Sequence, residues 1–195
     1  DVRALGDAVL ACFFGHDKTR EREGARQRLA AMPGGNDVMW AEVRRLAATL
    51  GQGPNVLRPF HWEVEFPEVF TGVASGFDAI IGNPPFLGGS RISRVLGDSF
   101  LAWLQCSFSG SGGRADLVIY FFREAFMLVR NGGTFAFVDT NTVSQGDSRE
   151  SGLANILANG GSIYRVTRRL PWPGEASVIV SVVHIRRGLS SFGDI

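Results

Sequence analysis

One ten-residue stretch, Phe77-Asp78-Ala79-Ile80-Ile81-Gly82-Asn83-Pro84-Pro85-Phe86, limits most sharply what this chain can become. Ala79 to Ile81 is an apolar run of the kind that fills a buried strand in a parallel sheet. Gly82 stops the run, and two prolines follow the amide of Asn83. Proline fixes φ and donates no main-chain hydrogen bond, so the strand ends in a stiff turn. Open α/β sheets bind ligands outside the carboxyl ends of their strands. Asn83, Pro84, Pro85 and Phe86 are therefore the candidate catalytic residues.

Their chemistry follows from which atoms accept and which donate. Pro84 lacks an N–H but keeps its carbonyl, and Asn83 brings a side-chain oxygen. Two acceptors held side by side can grip both hydrogens of an exocyclic amine. That grip localises the nitrogen lone pair and aims it at an electrophile. Phe86 can stack on the flat ring that carries the amine. The expected substrate is an aromatic amine such as adenine N6.

Composition sets the outer bounds. The chain has 195 residues, 45% hydrophobic and 20% charged, which is enough for a globular domain with a real core. Its net charge of +1 is no electrostatic footprint for a polyanion. A DNA partner would need a local basic patch or segments outside this stretch. Cys12 and Cys106 show no disulfide or metal-binding spacing and fit a reducing cytosol. No apolar run is long enough for a membrane span, and no signal peptide is visible, so the expected location is cytoplasmic. Helix begins at Val2 with no capping turn, the pattern of a piece cut from a longer polypeptide.

Residues 1–60 read as a helical segment. Leu5, Val9, Cys12 and Phe13 are predicted on one side of a first helix. Lys18 to Met32 alternates acids with bases and reads as a solvated face. Asp37 is expected to cap a third helix, with Trp40 in the core. Residues 61–188 form the main domain, followed by a tail over 189–195. Trp62, Val64 and Phe66 alternate with Glu63 and Glu65, which predicts a short strand with one wet face. His61 lacks the partners a metal site needs. Arg91 and Arg94 follow the proline turn on a glycine-rich loop and the helix from Ile92 to Leu104. They are either phosphate contacts or solvent-exposed linker residues.

From Ala115 a strong apolar helix runs to Val129, with Asp116 at its first turn, a normal place for a capping acid. Thr134 to Val138 is the next strand, and Asp139 to Thr142 is a polar loop at the same sheet edge as Asn83. Ser148 or Asp147 is expected to cap a helix through Leu157. Ser162–Thr167 and Ala176–Ile185 are strands joined by a short loop holding Trp172 and Pro173, so they must form an antiparallel hairpin. Arg168 and Arg169 sit just before that loop.

Asn83-Pro84-Pro85-Phe86 resembles motif IV of amino-methylating DNA methyltransferases. His61-Trp62-Glu63-Val64-Glu65-Phe66-Pro67-Glu68-Val69-Phe70 resembles what precedes that motif in the fused, type IIG-like restriction-modification branch of the gamma-class adenine-N6 enzymes. The resemblance implies an α/β fold, a partial Rossmann-like methyltransferase domain ending in an antiparallel hairpin. It implies methyl transfer from S-adenosylmethionine to a flipped adenine in double-stranded DNA, within a restriction-modification system. Phe86 on one side, with Trp172 and Pro173 on the other, would wall the base. The bland reading of Trp172 is a ring covering the end of the core. An acid at Asp116 would lie beside the donor's adenine, and Arg91, Arg94, Arg168 and Arg169 would be DNA contacts. No metal is implied.

One part of the pattern is missing. No glycine-rich turn after a strand lies ahead of Asn83, so donor binding by this chain is expected to be weak. A sheet edge without its neighbours should self-associate. The alternatives are a cytosine-N4 or protein-glutamine methyltransferase, or a catalytically incomplete assembly module.

Overall fold

The computed structural model describes residues 2–52, 56–111, 114–140, 146–172 and 178–188. They pack as two units, one through Glu68 and the other from Val69 onward.

In the first unit, α1 (Val2–Phe14) packs on α3 (Asp37–Thr49), and α2 (Thr19–Ala30) also packs against α1. The buried face of α1 is made of small residues, Ala4, Ala8, Ala11 and Cys12, while Leu5 and Val9 are exposed. This corrects the expected Leu5–Val9 face. A small-residue surface lets α1 approach Val43 of α3 closely, with Trp40, Met39 and Leu46 packed around it. Asn36 caps α3 instead of Asp37, its side chain accepting from the Met39 N–H at 2.8 Å. On α2 the charges pair along the surface, as in Glu23 with Arg26, and only Ala25 is buried.

The strand expected over residues 62–66 is instead helical, as α4 (Trp62–Glu65) followed by α5 (Pro67–Phe70). Alternation misled here because Trp62 and Phe66 are also four residues apart. On a helical turn their rings stack, with centroids 6.0 Å apart. Pro67 then suits the first position of the next helix. His61 is held by Asp7, Nε2 to Oδ1 at 2.8 Å.

The second unit is a four-stranded mixed sheet in the order β1 (Phe77–Gly82), β2 (Val129–Asp139), β4 (Ile179–Arg187), β3 (Gly161–Pro171). β1 and β2 are parallel, and β4 is antiparallel to both β2 and β3. The α/β fold and its closing hairpin are as expected. α8 (Leu117–Leu128) covers one sheet face, burying Val118, Phe122 and Phe126 against Phe135, Phe137, Val183 and Ile185. Phe122 meets Phe135 and Phe137 edge-on at 5.8 and 5.3 Å. Each fully buried ring of this kind is worth roughly 1.5–3 kcal/mol. The other side of α8 packs on α6 (Gly89–Leu96) and α7 (Asp98–Ser107) through Ile92, Leu104 and Tyr120.

The apolar run of β1 was expected to be buried, yet β1 is an outer strand and Ile81 is 86% exposed. Its apolar run therefore serves an edge that no described strand covers. β2 and β3 are also longer than predicted, because Asn131-Gly132-Gly133 and Arg168-Arg169 lie within strands and not between them. The helix after β2 comprises α9 (Gly146–Ser148), a π-helical segment (Arg149–Ala154) and α10 (Asn155–Ala158).

Candidate active site

Asn83 leaves the end of β1 exposed, between Gly82 and a buried Pro84. Gly82 packs closely: a β-carbon there would meet the Phe137 ring at 3.0 Å, so the ring would have to shift by a few tenths of an ångström. The strand therefore delivers Asn83 to the sheet edge while Pro84 anchors the turn inside. Pro85 is exposed and Phe86 is 37% exposed.

The loop beyond Phe86 is fastened to the start of α8. Leu87 donates its N–H to Asp116 Oδ1 at 3.2 Å, and Leu117 returns an N–H to the Leu87 carbonyl at 2.9 Å. Gly89 is buried against the same place, where a β-carbon would overlap the carbonyl of Arg114. Asp116 is only 5% exposed and is the N-cap of α8, its Oδ1 also accepting from the Val118 N–H at 3.0 Å. Its own N–H donates to Ser148 Oγ at 3.0 Å. Ser148 was expected to cap its own helix; it lies inside that helix and serves Asp116 instead. Gly88, Gly89, Arg114, Asp116, Asp147 and Ser148 line a shallow cleft of about 320 Å³ beside this junction.

Strand directions place the other predicted wall. β3 runs parallel to β1, because β1 is parallel to β2 and two reversals follow, from β2 to β4 and from β4 to β3. Trp172, half-buried at the end of β3, therefore emerges at the same sheet edge as Asn83. Three strand spacings of ~4.8 Å separate the two strands, roughly 14 Å. Neither Phe86 nor Trp172 makes a ring contact with another aromatic among the described residues. Phe86 is exposed and Trp172 half-buried. Pro173 lies outside the described residues.

Asp139, expected to open the polar loop after the second strand, belongs to the strand itself. Asp139, 2% exposed, ends β2 and stands opposite Ser181 of β4, which is also buried. An acid closing an apolar strand beside Asn83 was the available signal. Arg91 and Arg94 are exposed on α6, and Arg168 and Arg169 are exposed on β3.

Residues 49–167, more than half of the chain, match the sequence pattern of the Eco57I restriction-modification methylase. The chain belongs to that family. Asn83, Phe86 and Asp116 all fall inside the matched region of this Eco57I-type methylase, and Trp172 lies just beyond it. Among solved structures, the type IIL restriction-modification enzyme MmeI, determined in complex with DNA, is similar in fold at a TM-score of 0.50 and 18% identity. That similarity covers 85% of this chain and 27% of MmeI, so the methylase chain described here spans about a quarter of that enzyme's length. Among curated proteins none matches it. No helix of the described residues is long and apolar enough to cross a membrane.

Proposed function

We propose that this chain carries the amine-binding side of a DNA adenine-N6 methyltransferase that works in a restriction-modification system. The observation that carries the reading is the placement of Asn83: exposed at the carboxyl end of β1, on a turn fixed by the burial of Pro84. In this reading the Asn83 side-chain oxygen and the Pro84 carbonyl accept the two hydrogens of adenine N6. The nitrogen lone pair is then held pointing out of the ring plane. Phe86 and Trp172 close on the two faces of a base swung out of the duplex, the geometry such enzymes need to reach their target atom. Holding the amine in this orientation is worth a large part of the barrier in a two-reactant displacement.

S-adenosylmethionine supplies the methyl group in this reading. The described residues include the pair that would grip the amine, while one carboxylate oxygen of Asp116 is committed to the main chain. Asp116 Oδ1 already accepts two main-chain N–H groups, and the first amides of α8 are taken by Leu87, Asp116 Oδ1 and the Asp116 carbonyl. Among the described residues no strand with a glycine-rich turn precedes β1. In this reading the glycine-rich part of the donor site is supplied from outside this chain, and Asp116 Oδ1 holds the loop.

The test is nucleoside mass spectrometry of DNA treated with the intact parent enzyme and its Asn83→Ala form. N6-methyladenine made by the parent and lost in the variant is expected. N4-methylcytosine would reassign the base, and full turnover by Asn83→Ala would remove the amine grip. The place of β1 at the end of the strand order favours a second, compatible reading for the isolated chain, in which the bare edge of β1 pairs with another strand.

A further inference from the structure

The chain is close to neutral as a whole, but its charge is unevenly placed. β3 and β4, 11 and 9 residues long, hold five arginines and no acid. Without those two strands the remaining residues are net acidic, since the whole sequence has 20 basic and 19 acidic side chains. Arg187 is used internally, its Nη1 donating to the carbonyls of Met127 and Val129 at 2.8 and 2.7 Å. Arg186 lies 5.9 Å over the Tyr164 ring. Arg165, Arg168 and Arg169 are exposed on β3 and form no ion pair with any described residue.

The backbone that carries them is irregular in a particular way. Between Thr167 and Leu170 β3 has one residue more than its partner strand, and a second irregularity falls between Ile163 and Arg165. Bulges re-aim side chains, and they concentrate at sheet edges and next to active sites. Within the longer bulge Arg169 has φ of 57°, the one positive value at a non-glycine residue among the described residues. Glycine would adopt that conformation with less strain. A side chain kept at such a position is better explained by what it touches than by the backbone it strains. Arg168 and Arg169 are four and three residues from Trp172, about 10–13 Å along an extended strand.

We infer that the bulged outer edge of β3 is the docking surface for the phosphate backbone of the DNA. Arg168 and Arg169 make the contacts nearest the flipped base and Arg165 continues the track. This rests on the DNA reading above and adds to it the surface that supplies the electrostatic attraction. An overall charge of +1 gives no such attraction by itself. The contacts are to phosphate oxygens, so they position the duplex without reading its sequence.

The experiment is fluorescence anisotropy of the chain with a labelled duplex over a salt series, beside thermal melts of each variant. Arg169→Gly should melt at the same or a higher temperature, yet bind more weakly. Its log K against log salt slope should be smaller by about 0.9, the value of one phosphate contact on duplex DNA. Arg168→Ala should lower the slope similarly, Arg169→Lys should restore most of it, and Arg20→Ala on α2 should leave it unchanged. Unchanged affinity and slope in Arg169→Gly would overturn the inference. So would joint loss of stability and binding in that variant, or no duplex binding by the chain at low salt. Methyl transfer is scored separately in the parent enzyme: altered slopes in a protein that methylates no DNA would uphold the docking surface and remove the transferase reading.

Discussion

The carboxylate of Asp116 accepts a hydrogen bond from the main-chain N–H of Leu87, 29 residues earlier, at 3.2 Å. That bond couples the loop carrying Phe86 to the start of the most deeply buried helix in the sheet unit. Because Asp116 also caps α8 through Val118, one side chain sets both the helix start and the position of the loop. Asp116→Ala should cost about 1 kcal/mol for the cap and a further ~1–2 kcal/mol for the stranded Leu87 donor. Asp116→Asn keeps the accepting oxygen and should cost much less. Denaturant titration with amide hydrogen exchange at Leu87 checks this. A loss under 0.5 kcal/mol in the alanine variant, with Leu87 still protected, would contradict it.

Phe86→Ala and Trp172→Ala should each weaken capture of a duplex by the intact enzyme by ~1–3 kcal/mol, the usual worth of one aromatic–base stack. Phe86 is exposed, so Phe86→Ala should change melting little, whereas truncating half-buried Trp172 should lower it more. Competition binding with and without S-adenosylmethionine separates base contact from donor contact. Equal losses in both would place Trp172 with the core.

Much of this arrangement was legible in the residues, and the exceptions share a cause. The proline turn after Ile81, the strong helix from Leu117 and the closing hairpin depend on local pattern, and they stand where that pattern put them. The role of Asp116 was half visible, since capping is local while its hold on Leu87 needs residues 29 apart to meet. Ser148 was misread for the same reason: a serine before a helix reads as that helix's cap, and its true partner is the Asp116 N–H. The Trp62–Phe66 segment had two periodicities in its residues at once, and stacking at four-residue spacing decided for the helix. Ile81 is a different case. Its pattern reads as buried strand whether or not a neighbour is at hand to bury it.

That exposed isoleucine supports a prediction about association. If the bare edge of β1 pairs with a second copy, light scattering of the chain should rise with concentration, and Ile81→Lys should suppress the rise. A lysine at an 86% exposed site should not lower stability by more than ~0.5 kcal/mol. Identical scattering from both proteins would exclude β1 as the contact.

The two thiols should differ in reactivity. Cys12 is buried on α1, and burial, the dominant influence, pushes its thiol above 9.0; Arg28 opposes the shift and Glu42 adds to it. Cys106 is exposed. Iodoacetamide at pH 8 should modify Cys106 promptly and Cys12 only as fast as the first unit opens. Because the folded state holds the Cys12 proton more tightly, that contribution to stability is complete below pH 9 and fades as pH climbs through the raised value. Equal alkylation rates would show that α1 does not shield its sulfur.

The order β1-β2-β4-β3 has a consequence for how a groove of this kind can change. In the proposed arrangement its two banks follow the outermost strands, so its span is set by main-chain ladders and not by side-chain contacts. Point substitutions can reshape the banks, but they cannot widen the channel by an ångström or two. A larger guest would need a whole extra strand, or a kink in one already there, and the doubled residue ahead of Trp172 is such a kink.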